Sequence, residues 1–231
     1  MKQTFVIASS ILILISLNAC KKEVNDLKEN LIEQTEIAVE EKFYFDCKKQ
    51  FVNGIEYEAC ITRPGIFRVK NSNGKIIYIH EDNPFDFVFS DFNGDGYSDI
   101  LMNYVSNTPG IQELLLFDVN TNKFEFVEFF NSYPNSKRIN ESNFYYSYHS
   151  NGCADNDWGS ELYKLNETKI VPLGRIKGLG CLENDENGIY IYKLNGENEE
   201  LLNYIKREEG YWSGKFDFIE QYWRENKEVF K

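Results

Sequence analysis

The chain has 231 residues, a formal net charge of −12 and five cysteines. Such acidity argues against nucleic acid or an anionic lipid surface as a partner and leaves divalent cations, a basic protein or solubility alone. Aromatic residues make up 16% of the chain, with 18 Phe and 15 Tyr, a content that suits strands.

Met1-Lys2 is followed by an apolar run from Phe5 to Leu17 and then by Leu17-Asn18-Ala19-Cys20. A basic start, a short apolar stretch and small residues describe a secretory signal. The run is too short to span a bilayer as a helix, which takes about 20 residues. The cysteine after Leu-Asn-Ala resembles a bacterial lipobox. That resemblance implies cleavage before Cys20 and lipid on its thiol, so residues 1–19 are a lipoprotein signal peptide. Two or more acyl chains hold a protein stably on a membrane. Residues 20–41 are charged and lack Gly, Pro and aromatics, which reads as a tether. The expected location is the cell envelope, periplasmic or surface-facing. Removing residues 1–19 deletes only Lys2, so the mature charge becomes −13.

Residues 42–231 are long enough for one sizeable core. Four cysteines remain there, Cys47, Cys60, Cys153 and Cys181, and an even number in an exported chain predicts two disulfides. Asn53-Gly54 is a strong hairpin signal. A two-residue turn pairs Val52 with Ile55, and counting outward brings Cys47 opposite Cys60 on a non-hydrogen-bonded rung, where side chains are closer. The same register puts Lys49 opposite Glu58. Cys153–Cys181 follows by elimination. The cysteines show no zinc spacing, and His80 and His149 none that suits a ligand pair.

Turn signals then recur between short apolar or alternating runs. Strands are expected at Phe67–Lys70, Lys75–His80, Phe85–Ser90, Asp99–Val105, Gln112–Val119, Lys123–Phe130, Phe144–His149, Glu161–Leu165, Lys169–Leu173 and Gly188–Leu194. Residues 199–208 fit a helix or a strand. Phe216, Ile219, Tyr222, Trp223 and Phe230 share one helical stripe, predicting a helix over Gly214–Phe230. The pattern is all-β, a mostly antiparallel meander forming a small β-propeller-like unit or a barrel, with a C-terminal helix.

Asp91-Phe-Asn93-Gly-Asp95-Gly96-Tyr97-Ser-Asp99 carries the chemistry. Asp91, Asn93, Asp95 and Asp99 offer side-chain oxygens, Tyr97 its carbonyl, and Gly96 a sharp turn. Ca²⁺ takes about six to eight oxygens in such a loop. Met102 stands where an EF-hand has its bidentate Glu, and the flanks read as strands. The loop therefore resembles the calcium loops of integrin-type propeller blades and of FG-GAP and VCBS repeats. Further on come Leu114-Leu-Leu-Phe117, Lys123-Phe124-Glu, Trp158 and Glu161-Leu-Tyr163-Lys-Leu-Asn166. In that order the three segments resemble a family of bacterial envelope proteins with one calcium loop in a small β-propeller. The family includes immunity proteins that inhibit lysozyme-like effectors.

That resemblance implies structural Ca²⁺ and a basic, lysozyme-like hydrolase as partner. An inhibitor of that kind enters a substrate cleft with a protruding loop. The candidates are Ser106–Gly110 and Ser147–Trp158, with Ser106, Tyr148, His149, Asp155, Asp157 and Trp158 as contact residues. The alternative is a carbohydrate- or adhesion-type binding module, or a structural envelope lipoprotein, in which Ca²⁺ only staples a hairpin. No G-x-S-x-G, H-E-x-x-H or phosphate loop is present, and Gly174–Gly180 lacks the strand–helix setting of the last. The chain is not expected to be an enzyme.

Overall fold

The computed structural model describes residues 44–231 except 64, 184 and 185, with the side chains of 44 and 45 also left aside. The expected signal peptide, Cys20 and the tether lie outside the described residues.

Three open antiparallel sheets and one helix make the fold. The first sheet is a meander of β1 (Tyr44–Val52), β2 (Ile55–Thr62), β3 (Phe67–Asn71) and β4 (Ile76–His80). The second is a meander of β5 (Asp86–Ser90), β6 (Asp99–Asn103), β7 (Gln112–Asp118) and β8 (Lys123–Phe126). The third has seven strands: β9 (Lys137–Arg138), β10 (Phe144–Tyr146), β11 (His149–Ser150), β12 (Trp158–Asn166), β13 (Lys169–Leu179), β14 (Gly188–Asn195) and β15 (Asn198–Lys206). Its order is β15-β14-β13-β12-β10-β9, with β11 also on β12. Helix α1 (Lys215–Asn226) and a 3-10 turn, Lys227–Phe230, end the chain. The expected all-β meander with a C-terminal helix is present. The barrel alternative is not, because each sheet keeps two edges among the described residues. One of them, β15, is exposed along its whole length.

The strands alternate in a way that fixes the layers. In β7, Leu115 and Phe117 pack toward the first sheet with Tyr57, Phe67 and Phe87. Leu114 and Leu116 of the same strand face Tyr145 and Tyr163 of the third sheet. A strand buried on both faces reads as the unbroken apolar run that Leu114–Phe117 is. In β10 and β12, Phe144, Tyr146 and Leu162 point the other way, onto Ile219, Trp223 and Phe230. The layers therefore stack in chain order, with the helix on the outer face of the third sheet.

The hairpin register holds. Asn53 and Gly54 have φ of 48° and 75°, the pair of positive values that a tight primed turn requires. Cys47 and Cys60 are bonded, their Cα atoms 4.1 Å apart. Lys49 lies 3.7 Å from Glu58 and 3.2 Å from Glu56. Cys153 and Cys181 form the second disulfide.

Candidate functional site

The acidic loop joins β5 to β6 at the seam between the second and third sheets. Its own side chains curl it. Asp91 Oδ1 accepts N–H bonds from Gly94 (2.6 Å) and Asp95 (3.1 Å), and Oδ2 accepts one from Gly96 (3.0 Å). Asn93 Oδ1 accepts from Asp95 N–H at 3.0 Å, and Asp95 Oδ1 from Tyr97 N–H at 2.8 Å. Gly94 and Gly96 have φ of 75° and 91°, conformations that side chains resist. Phe92 stacks on Tyr145 of β10 with centroids 5.2 Å apart, and the Arg138 guanidinium lies where a Cβ on Gly94 would go.

Asp99 is the root of the loop. It is fully buried, and three backbone N–H groups bond it: Phe117 at 2.8 Å, Phe92 at 2.9 Å and Asn93 at 3.3 Å. Burial pushes its carboxyl up to about 6 against those bonds, and the Asp95 charge pushes the same way. The donor set of Asp91, Asn93, Asp95, Asp99 and the Tyr97 carbonyl is all oxygen, the chemistry Ca²⁺ selects. A divalent cation would reverse the electrostatic cost of holding Asp99 ionised beside Asp95. These residues fit the ion that the resemblance implies.

A groove of about 570 Å³ opens beside the loop. Asn93 and Asp95 line it together with Asp118, Glu125, Tyr145 and Glu167, and neither Lys nor Arg does. The Thr121 hydroxyl and the Asn120 N–H hold the Asp118 carboxyl below the usual carboxylate range, so it stays charged.

The contact residues expected in 147–158 are differently placed. Trp158 is wholly buried under the helix and faces no partner, because β12 begins there and Gly178 opposite leaves room for its indole. Asp157 accepts the Gly180 N–H at 2.8 Å. Asp155 pairs with the Lys215 ammonium and accepts the Tyr148 hydroxyl at 2.5 Å. The Cys153–Cys181 bond adds a further tie. These bonds tie the segment down at both ends, while residues 151–154 between them are exposed. Ser106 is exposed, next to Val105, which is 86% exposed; the Pro109 carbonyl accepts a hydrogen bond from the Asn135 amide at 3.0 Å.

His149 belongs to a buried charge network that sequence spacing did not reveal. Its Nδ1 lies 3.4 Å from Glu161 Oε2, and Arg175 Nε lies 3.4 Å from Glu161 Oε1. Ser147 Oγ donates to Glu161 at 2.7 Å. The Glu161 carboxylate beside it raises the His149 pKa against burial. For Glu161, burial raises the pKa, but His149, Ser147 and Arg175 outweigh it and leave it lowered. A second group, His80, Asp82 and Glu113, comes together from the end of β4, the following connection and β7. Nothing in their spacing along the chain signals it.

No protein-family model matches the chain, and no curated protein matches it. Among solved structures, it is similar to one described as the structure of a Xanthomonas type IV secretion system related protein. The identity is 16% and the TM-score 0.44, over 68% of this chain and 93% of that one. Neither fold nor function is carried over from that likeness.

Among the described residues, no helix is long and apolar enough to cross a membrane.

Proposed function

We propose that the protein is a non-catalytic, lipid-anchored bacterial envelope protein that holds a structural Ca²⁺ in its 91–99 loop and inhibits a basic, lysozyme-like peptidoglycan hydrolase. The observation that carries this reading is the groove beside the loop, with Asp95, Asp118, Glu125 and Glu167 on its walls and no Lys or Arg among its described lining residues. An anionic concavity steers a basic partner and raises its on-rate. A carbohydrate module has less support, because the groove's aromatics, Phe117 and Tyr145, are 3% and 2% exposed and offer no ring for sugar stacking. The Ca²⁺ orders the loop that forms one wall of the groove.

The test is inhibition of a panel of lysozyme-type muramidases by the purified protein, with and without Ca²⁺. Stoichiometric inhibition is expected, weakened by salt and by an Asp118→Asn/Glu167→Gln double variant. No inhibition across the panel overturns the inhibitor reading. Asp95→Ala should abolish the Ca²⁺-dependent rise in melting temperature, and an unchanged rise overturns the loop assignment.

A further inference from the structure

A cluster of one histidine and two carboxylates lies between the first and second sheets. His80 Nε2 stands 2.6 Å from Glu113 Oε2 and 3.5 Å from Asp82 Oδ2, and one ligand atom from each residue lies within 4.8 Å of the others. Ligand atoms around a tetrahedral ion with bonds of about 2.0–2.1 Å are separated by about 3.3 Å, so the three are spaced to share one.

The bland alternative is an imidazole hydrogen-bonded to a carboxylate. The geometry does not provide it. His80 Nε2 is buried and, although Glu113 is close, the oxygen is off the N–H direction and no hydrogen bond forms. A buried ring nitrogen aimed between two carboxylates without a bond of its own is costly unless something else sits there. Glu113 is itself only 6% exposed, and an isolated buried carboxylate is expensive without a cation.

The surroundings match a ligand set as well. Tyr78 Oη lies 3.4 Å from His80 Nδ1, the position from which a hydroxyl fixes the tautomer that frees Nε2 for a metal. Tyr104 Oη donates to Glu113 Oε2 at 2.6 Å and orients that carboxylate. The His80 ring stacks on Phe126, centroids 5.7 Å apart. The Asp82 side chain is 74% exposed, so the group is open to solvent on one side and closed on the other.

We propose that His80, Asp82 and Glu113 bind a divalent first-row transition ion of the Zn²⁺ class. The ligand atoms are His80 Nε2 and one oxygen of each carboxylate, with water completing the set on the Asp82 side. One nitrogen with two oxygens suits Zn²⁺, whereas Ca²⁺ takes oxygen and a larger ligand number. The ion ties β4 of the first sheet to β7 of the second.

The experiment is calorimetric titration of the untagged full chain with Zn²⁺, in saturating Ca²⁺ so that the acidic loop does not compete. One equivalent should bind, and Co²⁺ in its place should give a visible d–d band. His80→Gln should abolish binding and the band. Asp82→Asn, at a position whose side chain is 74% exposed, should weaken binding at least tenfold while leaving the Ca²⁺ response intact. Absence of Zn²⁺ binding by the unaltered chain overturns the proposal. So does unchanged binding in Asp82→Asn together with His80→Gln, which would put the ion elsewhere.

Discussion

Lys215 and Asp155 form an unequal pair, and the inequality can be measured. Lys215 is fully buried at the first residue of α1, where the helix dipole disfavours a cation. Its ammonium donates to the Asp155 carboxylate and, at 2.9 Å, to the Asp155 carbonyl. It also sits 4.5 Å from the Tyr211 ring centroid and 5.3 Å from that of Phe216. The Asp155 side chain is 33% exposed and keeps the Tyr148 hydroxyl whatever happens to the lysine. Asp155→Asn therefore strands a buried charge, a loss of about 3–5 kcal/mol. Lys215→Met keeps the stem volume and leaves a carboxylate that water can reach. Its loss is a charge-assisted hydrogen bond of about 1.5–3 kcal/mol plus a cation–π term of about 0.5–2 kcal/mol, offset by the desolvation no longer incurred, leaving about 1–2 kcal/mol. The double variant should return to the Lys215→Met value, because no charge is then stranded. Urea unfolding followed by tryptophan fluorescence reads all three, with Trp158, Trp212 and Trp223 in the cluster at this end of the helix. Lys215→Met costing as much as Asp155→Asn, or a double variant less stable than either single one, would refute the reasoning.

Two further outcomes follow from packing and charge. Gly178→Ala would drive a methyl into the buried Trp158 indole and should cost about 1–3 kcal/mol in the same assay; a neutral result would mean the indole can move. The pKa of His149 is raised in the folded state, so its attraction to the Glu161 carboxylate contributes fully below the unfolded value of about 6.5 and is lost as pH rises through the folded value. Glu161 is lowered, so its contribution is present above an unfolded value of about 4.3 and lost as pH falls through the folded one. Melting temperature should therefore be highest between those limits. His149→Gln should flatten the fall on the alkaline side, and an unaltered fall would assign it to another group.

Local signals in the chain were the readable ones. Asn53-Gly54 sets a register that places two cysteines face to face, because turn geometry and strand period need no distant information. The acidic loop is equally local, with all its oxygens within nine residues. Gly174–Gly180 is a different matter. The expected strand stops at Leu173, yet Gly174 and Gly178 lie inside β13, where the Phe230, Trp223 and Trp158 rings occupy the space of a missing Cβ. Glycine there answers a close approach from another element, which no local pattern records. β15 carries Leu201, Leu202, Tyr204 and Ile205 at spacings that fit helix or strand, and its pairing with β14 decides. The stretch Ser147–Trp158 reads as a protruding loop, and its acids are used on the Lys215 ammonium and the Gly180 N–H. His80, Asp82 and Glu113 meet only because the first two sheets stack.

Among the described residues no strand pairing joins the three sheets, so the molecule depends on other ties between them. Lys48 Nζ reaches Asp86 at 2.7 Å, and the Tyr57 hydroxyl reaches the Asn122 carbonyl at 3.1 Å, both from first sheet to second. Phe92 on Tyr145 joins the second to the third through the acidic loop itself. Tyr145 also lines the groove, with Asn93 and Asp95 across from it. Any ion that fixes the loop thereby fixes both a seam between sheets and a wall of the groove. Stability and partner binding should then respond to Ca²⁺ together. A Phe92→Ala variant should uncouple both from the ion, keeping the loop's ligands while releasing its grip on Tyr145. Ca²⁺ should still bind that variant, but its effect on melting temperature and on inhibition should shrink in parallel. A full thermal response with inhibition lost would mean that Phe92 is a contact for the partner and that the seam is held elsewhere.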